Sequence, residues 1–413
     1  MKKTTILSIL AVLTLGMNFT SCKSDDADPI VETTTITVEL PLNVKNPTLT
    51  EATCTITNVE NQQVTTATAS QFIKDGDGYV LQVPGLVEGT YNVELKGHLE
   101  FTANGVSGQK DFETKQENIK ITQEAAKLHL TVSAFTAQGG FVFSEIFFTG
   151  TTTPEGKQYS NDQYVVITNN SDVTLYADSL AFVESSFNSA SFFTYVPDIH
   201  EDSLAVAAVY MIPGSGKDVP VEPGQSLTLA VNAINHTEGN ANSFDLSSAD
   251  YEFYDLSSNP NYSDVDNEKV PNLDKWFCYT ATLYTMHNRG FKAMALVKLQ
   301  GSKEEWLEKM VYVGNYQMDV AGDIYEMAVK NTYKIPVSWI IDGVNLSTKE
   351  AWEWNILPAK IDAGWTHCGE TLNDKTRYGK SVIRKKDASG KYIDTNNSEN
   401  DFEADATASK LSK

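Results

Sequence analysis

Between residues 34 and 133 the apolar positions fall on every second residue. TITVEL sets Ile36, Val38 and Leu40 in phase, YNVEL sets Tyr91, Val93 and Leu95, and LHLTV sets Leu128, Leu130 and Val132. Period two, with turn residues between the runs, predicts half-buried antiparallel strands. Cys54 stands in phase with Ile56 in CTI, which predicts a core thiol and not a ligand. Asp75-Gly76-Asp77-Gly78 and Glu88-Gly89 supply the turn chemistry between strands. At TAQGG, residues 136–140, the pattern breaks at a natural hinge. FVFSEIFFTG then reads as an apolar strand interrupted only by Ser144 and Glu145. SKEEWLEKM, residues 302–310, predicts a helix: Ser302 can cap it, Glu305 sits at capping-box spacing, and Trp306 and Met310 share a face. IYEMAVKN fits helix or strand equally.

Two stretches carry family resemblances. PGLVEGTY, residues 84–91, resembles the segment that joins two strands in prealbumin-like and carboxypeptidase-regulatory-like sandwiches, and this implies a small sandwich over residues 34–135. The Ser-Glu-Ile of residues 144–146, QYVVITNNSD (163–172) and the Pro223-Gly224 turn before SLTLAVNA resemble, in that order, a lamin-tail domain. Val166 stands where that family commonly has Glu, and Asp178-Ser179 where it has Gly-Trp. YGKSVIRKKDASGKYIDTNNSENDFE, residues 378–403, resembles the last strand and exit of such domains, with a capped turn at Asp394–Ser398 and Phe402 plugging the sandwich end. The expected fold is therefore mainly β. It consists of two β-sandwich domains, residues 34–135 and 141–403, the second larger and carrying helix-containing insertions, followed by a disordered tail at 404–413.

The chain has 413 residues, is 41% hydrophobic, and has a formal net charge of -22. So acidic a surface repels phosphate backbones and argues against nucleic acid as a partner. The first 21 residues stand apart: Lys2 and Lys3, an apolar stretch, then small residues before Cys22, which is the pattern of a secretory signal. FTSC resembles a bacterial lipobox, which implies cleavage before Cys22 and acylation of that cysteine, anchoring the protein to membrane. KSDDADP directly behind it resembles the surface-export signal of Bacteroidetes lipoproteins, and residues 22–33 are expected to form a flexible acidic tether. Together the parts resemble an uncharacterised family of Bacteroidetes surface lipoproteins, lipid-anchored in the outer membrane and facing the exterior.

Candidate chemistry is sparse. Gly379-Lys380-Ser381 lacks the glycine five positions earlier that a phosphate loop needs, because Asp374 stands there, and Asp218 takes the hydroxyl position in PGSGKD. Zinc-helix, nucleophile-elbow and Cys-x-x-Cys patterns are missing from the sequence. Cys278 and Cys368 are a possible disulfide in an export compartment. NYSDVDNEK offers Asp264, Asp266 and Glu268 as oxygen ligands for a weakly bound calcium ion. In WEWNILPAKIDAGW, Trp352, Trp354 and Trp365 are candidates for a ligand-stacking platform, with Trp352 and Trp354 expected on one face of a strand. The expectation is a non-enzymatic surface protein that binds a nutrient or an envelope partner, as an accessory to a TonB-dependent transporter. An adhesion or scaffold role with no small ligand, and a hydrolase with unrecognised carboxylates, are the alternatives.

Overall fold

In the computed structural model, residues 29–411 are described apart from 41–44, 77, 104–105, 133–139, 258, 260 and 281. Cys22, the tether up to residue 28 and most of the expected hinge lie outside the described residues. The first body contains β1 (Ile30–Glu39), β2 (Lys45–Asn58), β3 (Val64–Thr68), β4 (Phe72–Asp75), β5 (Gly78–Val87), β6 (Gly89–Ala103), β7 (Val106–Ile121) and β8 (Lys127–Thr131). The second runs through β9 (Phe141–Phe147), β10 (Thr151–Thr152), β11 (Gln158–Tyr159), β12 (Tyr164–Asn169), β13 (Thr174–Tyr176), β14 (Leu180–Ser185), β15 (Ser203–Met211), β16 (Pro220–Val221), β17 (Ser226–Ala230) and β18 (Tyr251–Glu252). It continues with β19 (Asp274–Cys278), β20 (Met294–Lys298), helix α1 (Lys303–Lys309), β21 (Val311–Val320), β22 (Asp323–Pro336), β23 (Ile340–Val344), β24 (Leu346–Ser347), β25 (Thr366–His367), β26 (Lys380–Arg384), the single turn α2 (Ser398–Asp401) and β27 (Phe402–Thr407).

The alternation read from the sequence becomes burial. Ile36, Val38, Tyr91, Val93, Leu95, Leu128, Leu130 and Val132 all point inward, and the Cys54 thiol is buried beside Ile56. The sheet β4-β5-β1-β8 faces the sheet β3-β2-β6-β7 across this core. The second of these sheets does not stop at β7. It continues into β13 and β16, with Leu175 opposite Gly108 and Thr174 opposite Gln109. A Cβ at Gly108 would stand 2.8 Å from the Phe101 ring and 3.0 Å from Leu175 Cδ2, so glycine permits the close approach. Lys110 adds a bond to Asp172 O at 2.9 Å, and Lys217 pairs with Glu100 at 2.6 Å. One apolar cluster accordingly runs through both bodies.

The second body is a sandwich of β18-β17-β12-β9-β26-β27 and β21-β22-β15-β14-β20-β23, with β19 paired to β15. Its central strands are buried on both faces: every residue of β9 and of β14 is inaccessible. Runs without alternation are what two-sided cover requires. Phe143, Phe182, Tyr210, Phe253 and Tyr284 fill the space between the sheets. Beyond the β14-β15-β20 face lies a further core, with Val183, Val209, Trp276, Trp306 and Leu357, covered by α1 and by the loops at 187–201 and 352–361. The predicted helix forms with its full capping box of Ser302 and Glu305, and Trp306 is buried beneath it. The ambiguous IYEMAVKN belongs to strand β22.

The chain end departs from expectation. Residues 404–411 are not a disordered tail. β27 pairs with β26, with Ser381 opposite Ala406, and Ala406 and Ala408 are buried. Ser409 N then donates to Glu145 Oε1 at 2.9 Å. Small alanines spaced two apart in a polar stretch give little hydropathy signal, yet they fit a close-packed sheet edge. Just before it, Asn397 caps α2 through Glu399 N, Ser398 bonds buried Asp362, and Asp401 accepts from Thr395 N and Oγ1. The polar exit thus closes the sandwich, with Phe402 buried at its end.

Candidate functional site: an aromatic cleft

The two loops over the outer β14-β15-β20 core bound a cleft of about 580 Å³. One wall comes from residues 187–201 and the other from residues 352–359. The first wall is built around Phe187, which stacks on Tyr195 at 3.9 Å between centroids and 17° between planes. Phe193 and Tyr195 continue the array to Tyr316 of β21, at 4.6 and 5.2 Å. Burial pushes the Tyr195 phenol well above its ordinary range, and Tyr316 and Tyr312 add to the shift.

Trp354 ties the walls together. Its indole N–H lies 2.9 Å from Asn188 O and 3.2 Å from Ser191 O, so one donor holds the start of the opposite loop. Glu353 N donates to Ser189 O at 2.9 Å, and Phe192 N donates to Glu353 Oε2 at 2.9 Å. These bonds fix the backbone beneath Phe192 and leave its ring 59% exposed, edge-on to Trp354 at 5.4 Å. A large apolar ring held outward on a bonded loop is a preformed contact surface.

Polar groups sit on the same rim. Asp198, His200 and Glu201 line the cleft. His200 Nε2 donates to Asn355 O at 3.0 Å, which leaves Nδ1 toward Glu201 Oε1 at 3.3 Å. The arrangement offers aromatic faces for apolar contact and carboxylate and imidazole edges for hydrogen bonds.

Of the three predicted tryptophans, the structure brings Trp352 and Trp354 to the cleft. Trp365 stands behind Trp352, with the rings stacked at 5.2 Å and 4°, and its other neighbour is His367 at 5.5 Å. Trp352, 36% exposed, donates to Asn355 Oδ1 at 3.1 Å. Residues 352–354 form no strand. The alternation expected of Trp352 and Trp354 is replaced by an irregular loop, because its backbone donors go to Ser189 and its side chains bridge to the facing loop. The sequence reading missed the 187–201 wall. Its signal was compositional: Phe187, Phe192, Phe193 and Tyr195 crowd nine residues with no strand or helix period.

The remaining predicted groups are used elsewhere. Asp264 accepts from Asn232 Nδ2 at 2.6 Å and from Asp255 N at 2.8 Å, and Asp266 accepts from Asn272 Nδ2 at 3.2 Å. Among the described residues, no three His, Cys, Asp or Glu side chains gather as a metal site, so Asp264, Asp266 and Glu268 are not brought together as calcium ligands. The Asp264 and Asp266 oxygens bond within the loop and to its neighbours instead. Cys278 and Cys368 are both free thiols: Cys278 contacts Thr280 Oγ1 at 3.1 Å, and Cys368 is buried. Asp374, at the false phosphate loop, caps a short turn through Thr376 N.

Comparison with known proteins agrees with the architecture and brings no activity. Residues 222–409 match a family model described as a protein of unknown function (DUF4876). That span takes in the Trp352–Trp354 wall and stops short of the 187–201 wall. The fold is similar to the crystal structure of a DUF4876 family protein from Bacteroides thetaiotaomicron VPI-5482. The TM-score is 0.53 at 21% identity, over 91% of this chain and 96% of that one. A search of curated proteins finds no match.

Proposed function

We propose that this protein is a lipid-anchored binding protein of the bacterial cell surface, and that it takes up carbohydrate chains in the aromatic cleft as an accessory to a TonB-dependent outer-membrane transporter. One observation carries the binding reading. Phe192, Trp352 and Trp354 present aromatic faces at a bonded, preformed cleft whose rim holds Asp198, His200 and Glu201. A sugar ring has an apolar face of C–H groups and an equator of hydroxyls, and such a cleft complements both. The lipobox at Cys22 and the acidic tract after it support the address, and the resemblance to a lamin-tail domain, a fold of interaction modules, fits a binding role. No described helix is long and apolar enough to cross a membrane, so attachment in this reading rests on the acyl anchor.

A scaffold role has one feature in its favour. The β21–β22 hairpin exposes Val311, Val313, Val320, Ile324 and Tyr325. A glycan array probed with residues 29–413 separates the readings. Binding to oligosaccharides, with quenching of tryptophan fluorescence and no release of reducing ends, supports capture. Array-negative protein that co-purifies with a membrane receptor through the hairpin supports the scaffold, and release of reducing ends supports a hydrolase.

A further inference from the structure

A second cavity lies apart from the aromatic cleft. It measures about 220 Å³ and is lined by Gln158, Ser160, Glu184, Tyr279, His287 and Lys292 among others. That volume is below the range of about 300–1,000 Å³ of drug-sized pockets and far above one water's share of about 30 Å³. Its lining is mostly polar.

Glu184 is the centre of it. This residue of β14 is 2% exposed. Its Oε2 accepts from Tyr284 Oη at 3.1 Å and from His287 N at 3.3 Å. Among the described residues no donor reaches Oε1. Glu184 lines the cavity, so Oε1 is the carboxylate oxygen left to a molecule that enters it. Lys292, which lines the same cavity, does not reach that oxygen: its Nζ donates to Ser186 O at 2.6 Å and forms no ion pair with Glu184. An ammonium and a carboxylate therefore line one cavity without touching. His287 Nδ1 accepts from Phe291 N at 3.3 Å, which places the ring proton on Nε2 as a further donor.

We propose that this cavity binds a single neutral monosaccharide, whose hydroxyls donate to Glu184 Oε1 and accept from Lys292 Nζ. A hydroxyl both donates and accepts, so neighbouring hydroxyls satisfy both groups at once. A free anion would meet the Glu184 carboxylate, and a second cation would meet Lys292. A divalent metal would find one carboxylate beside an ammonium. Glycoside cleavage ordinarily takes two carboxylates about 5–9.5 Å apart, and this lining holds one, so the cavity binds and does not cut. The proposal stands independently of the aromatic cleft.

Calorimetric titration of residues 29–413 tests it, with D-glucose, D-galactose, D-mannose and N-acetyl-D-glucosamine as neutral probes and D-glucuronate and D-glucosamine as charged ones. A saturable isotherm with at least one neutral sugar is expected, at a Kd of about 1 mM. Glu184→Gln and Lys292→Gln should each weaken it about tenfold or more, the loss of one charged hydrogen bond. Ile73→Ala, exposed on β4 and lining neither cavity, should leave it unchanged. Lys292→Gln, on the half-buried rim, carries the test if Glu184→Gln fails to fold. The proposal is overturned if no neutral sugar saturates, if only a charged sugar binds, if either folded variant binds as the wild type does, or if Phe192→Ala abolishes binding, which would move it to the aromatic cleft.

Discussion

Replacing Arg384 by methionine should destabilise the second body by about 3–5 kcal/mol at pH 7, the cost of leaving one partner of a buried ion pair alone. The structure shows why the cost is that large. The side chains of Arg384 and Asp342 are only 2% and 4% exposed. Arg384 Nη2 reaches both Asp342 oxygens, at 2.7 and 2.6 Å. Its Nε donates to Phe143 O at 2.8 Å, its Nη1 donates to Ile393 O at 3.1 Å, and its guanidinium lies 4.5 Å over the Phe402 ring. One residue thus joins β26 to β9, β23 and the polar exit. Asp342 keeps bonds from Phe143 N and Gly343 N when Arg384 is lost, but its charge is then unmatched.

The loss should also depend on pH. Burial already raises the Asp342 carboxyl to about 6, against the pull of Arg384, and without Arg384 it rises further. A carboxyl whose folded pKa lies above its unfolded value gains a proton on folding, so its stabilisation is present at low pH and lost as pH rises through the folded pKa. The Arg384→Met loss should therefore shrink between pH 7 and pH 5. Urea unfolding followed by tryptophan fluorescence, with m held common, measures both. A loss below about 1 kcal/mol, or an equal loss at both pH values, would refute the reasoning.

Other perturbations follow from the same geometry. Burial holds His287 down at about 4, with Lys292, Arg289 and Arg377 adding to it. Its stabilising contribution is complete above the ordinary histidine value and lost as pH falls toward 4, so His287→Gln should flatten the acid side of a stability–pH profile measured by urea unfolding between pH 7 and 4. A protease site inserted at residues 133–139 and cut should leave two fragments that co-elute on size exclusion, because β7 pairs with β13 and one apolar cluster spans both bodies; separate elution in native buffer contradicts this. Cys22→Ala in the full chain should move the protein out of the membrane fraction or leave its leader uncut. Asp25→Ala with Asp26→Ala should keep the anchor but protect the protein when intact cells are shaved with protease.

What the sequence made legible was what local physics decides. Ser302 and Glu305 specify a cap whatever surrounds them, and the alternation around Ile36, Tyr91 and Leu128 specifies strands with one face inward. The remainder depends on partners far along the chain. β13 and β16 are three and two residues long, too short for any period, and they exist because β7 offers an edge. Ala406 and Ala408 are core residues only because β26 lies beside them. Trp354 announced an aromatic patch, but its partners Phe192 and Tyr195 stand some 160 residues earlier, in a segment whose order comes from bonds across that distance.

Calorimetric titration with the oligosaccharides retained on the array, comparing wild type with Phe192→Ala and Trp352→Ala, is the direct test of the cleft. Both side chains are partly exposed, so the folded body should survive each change. The account predicts saturable binding to the wild type, a loss of about 1–3 kcal/mol or more in each variant, and unchanged thermal unfolding. Equal affinity in all three proteins, or no oligosaccharide bound by any of them, would contradict it.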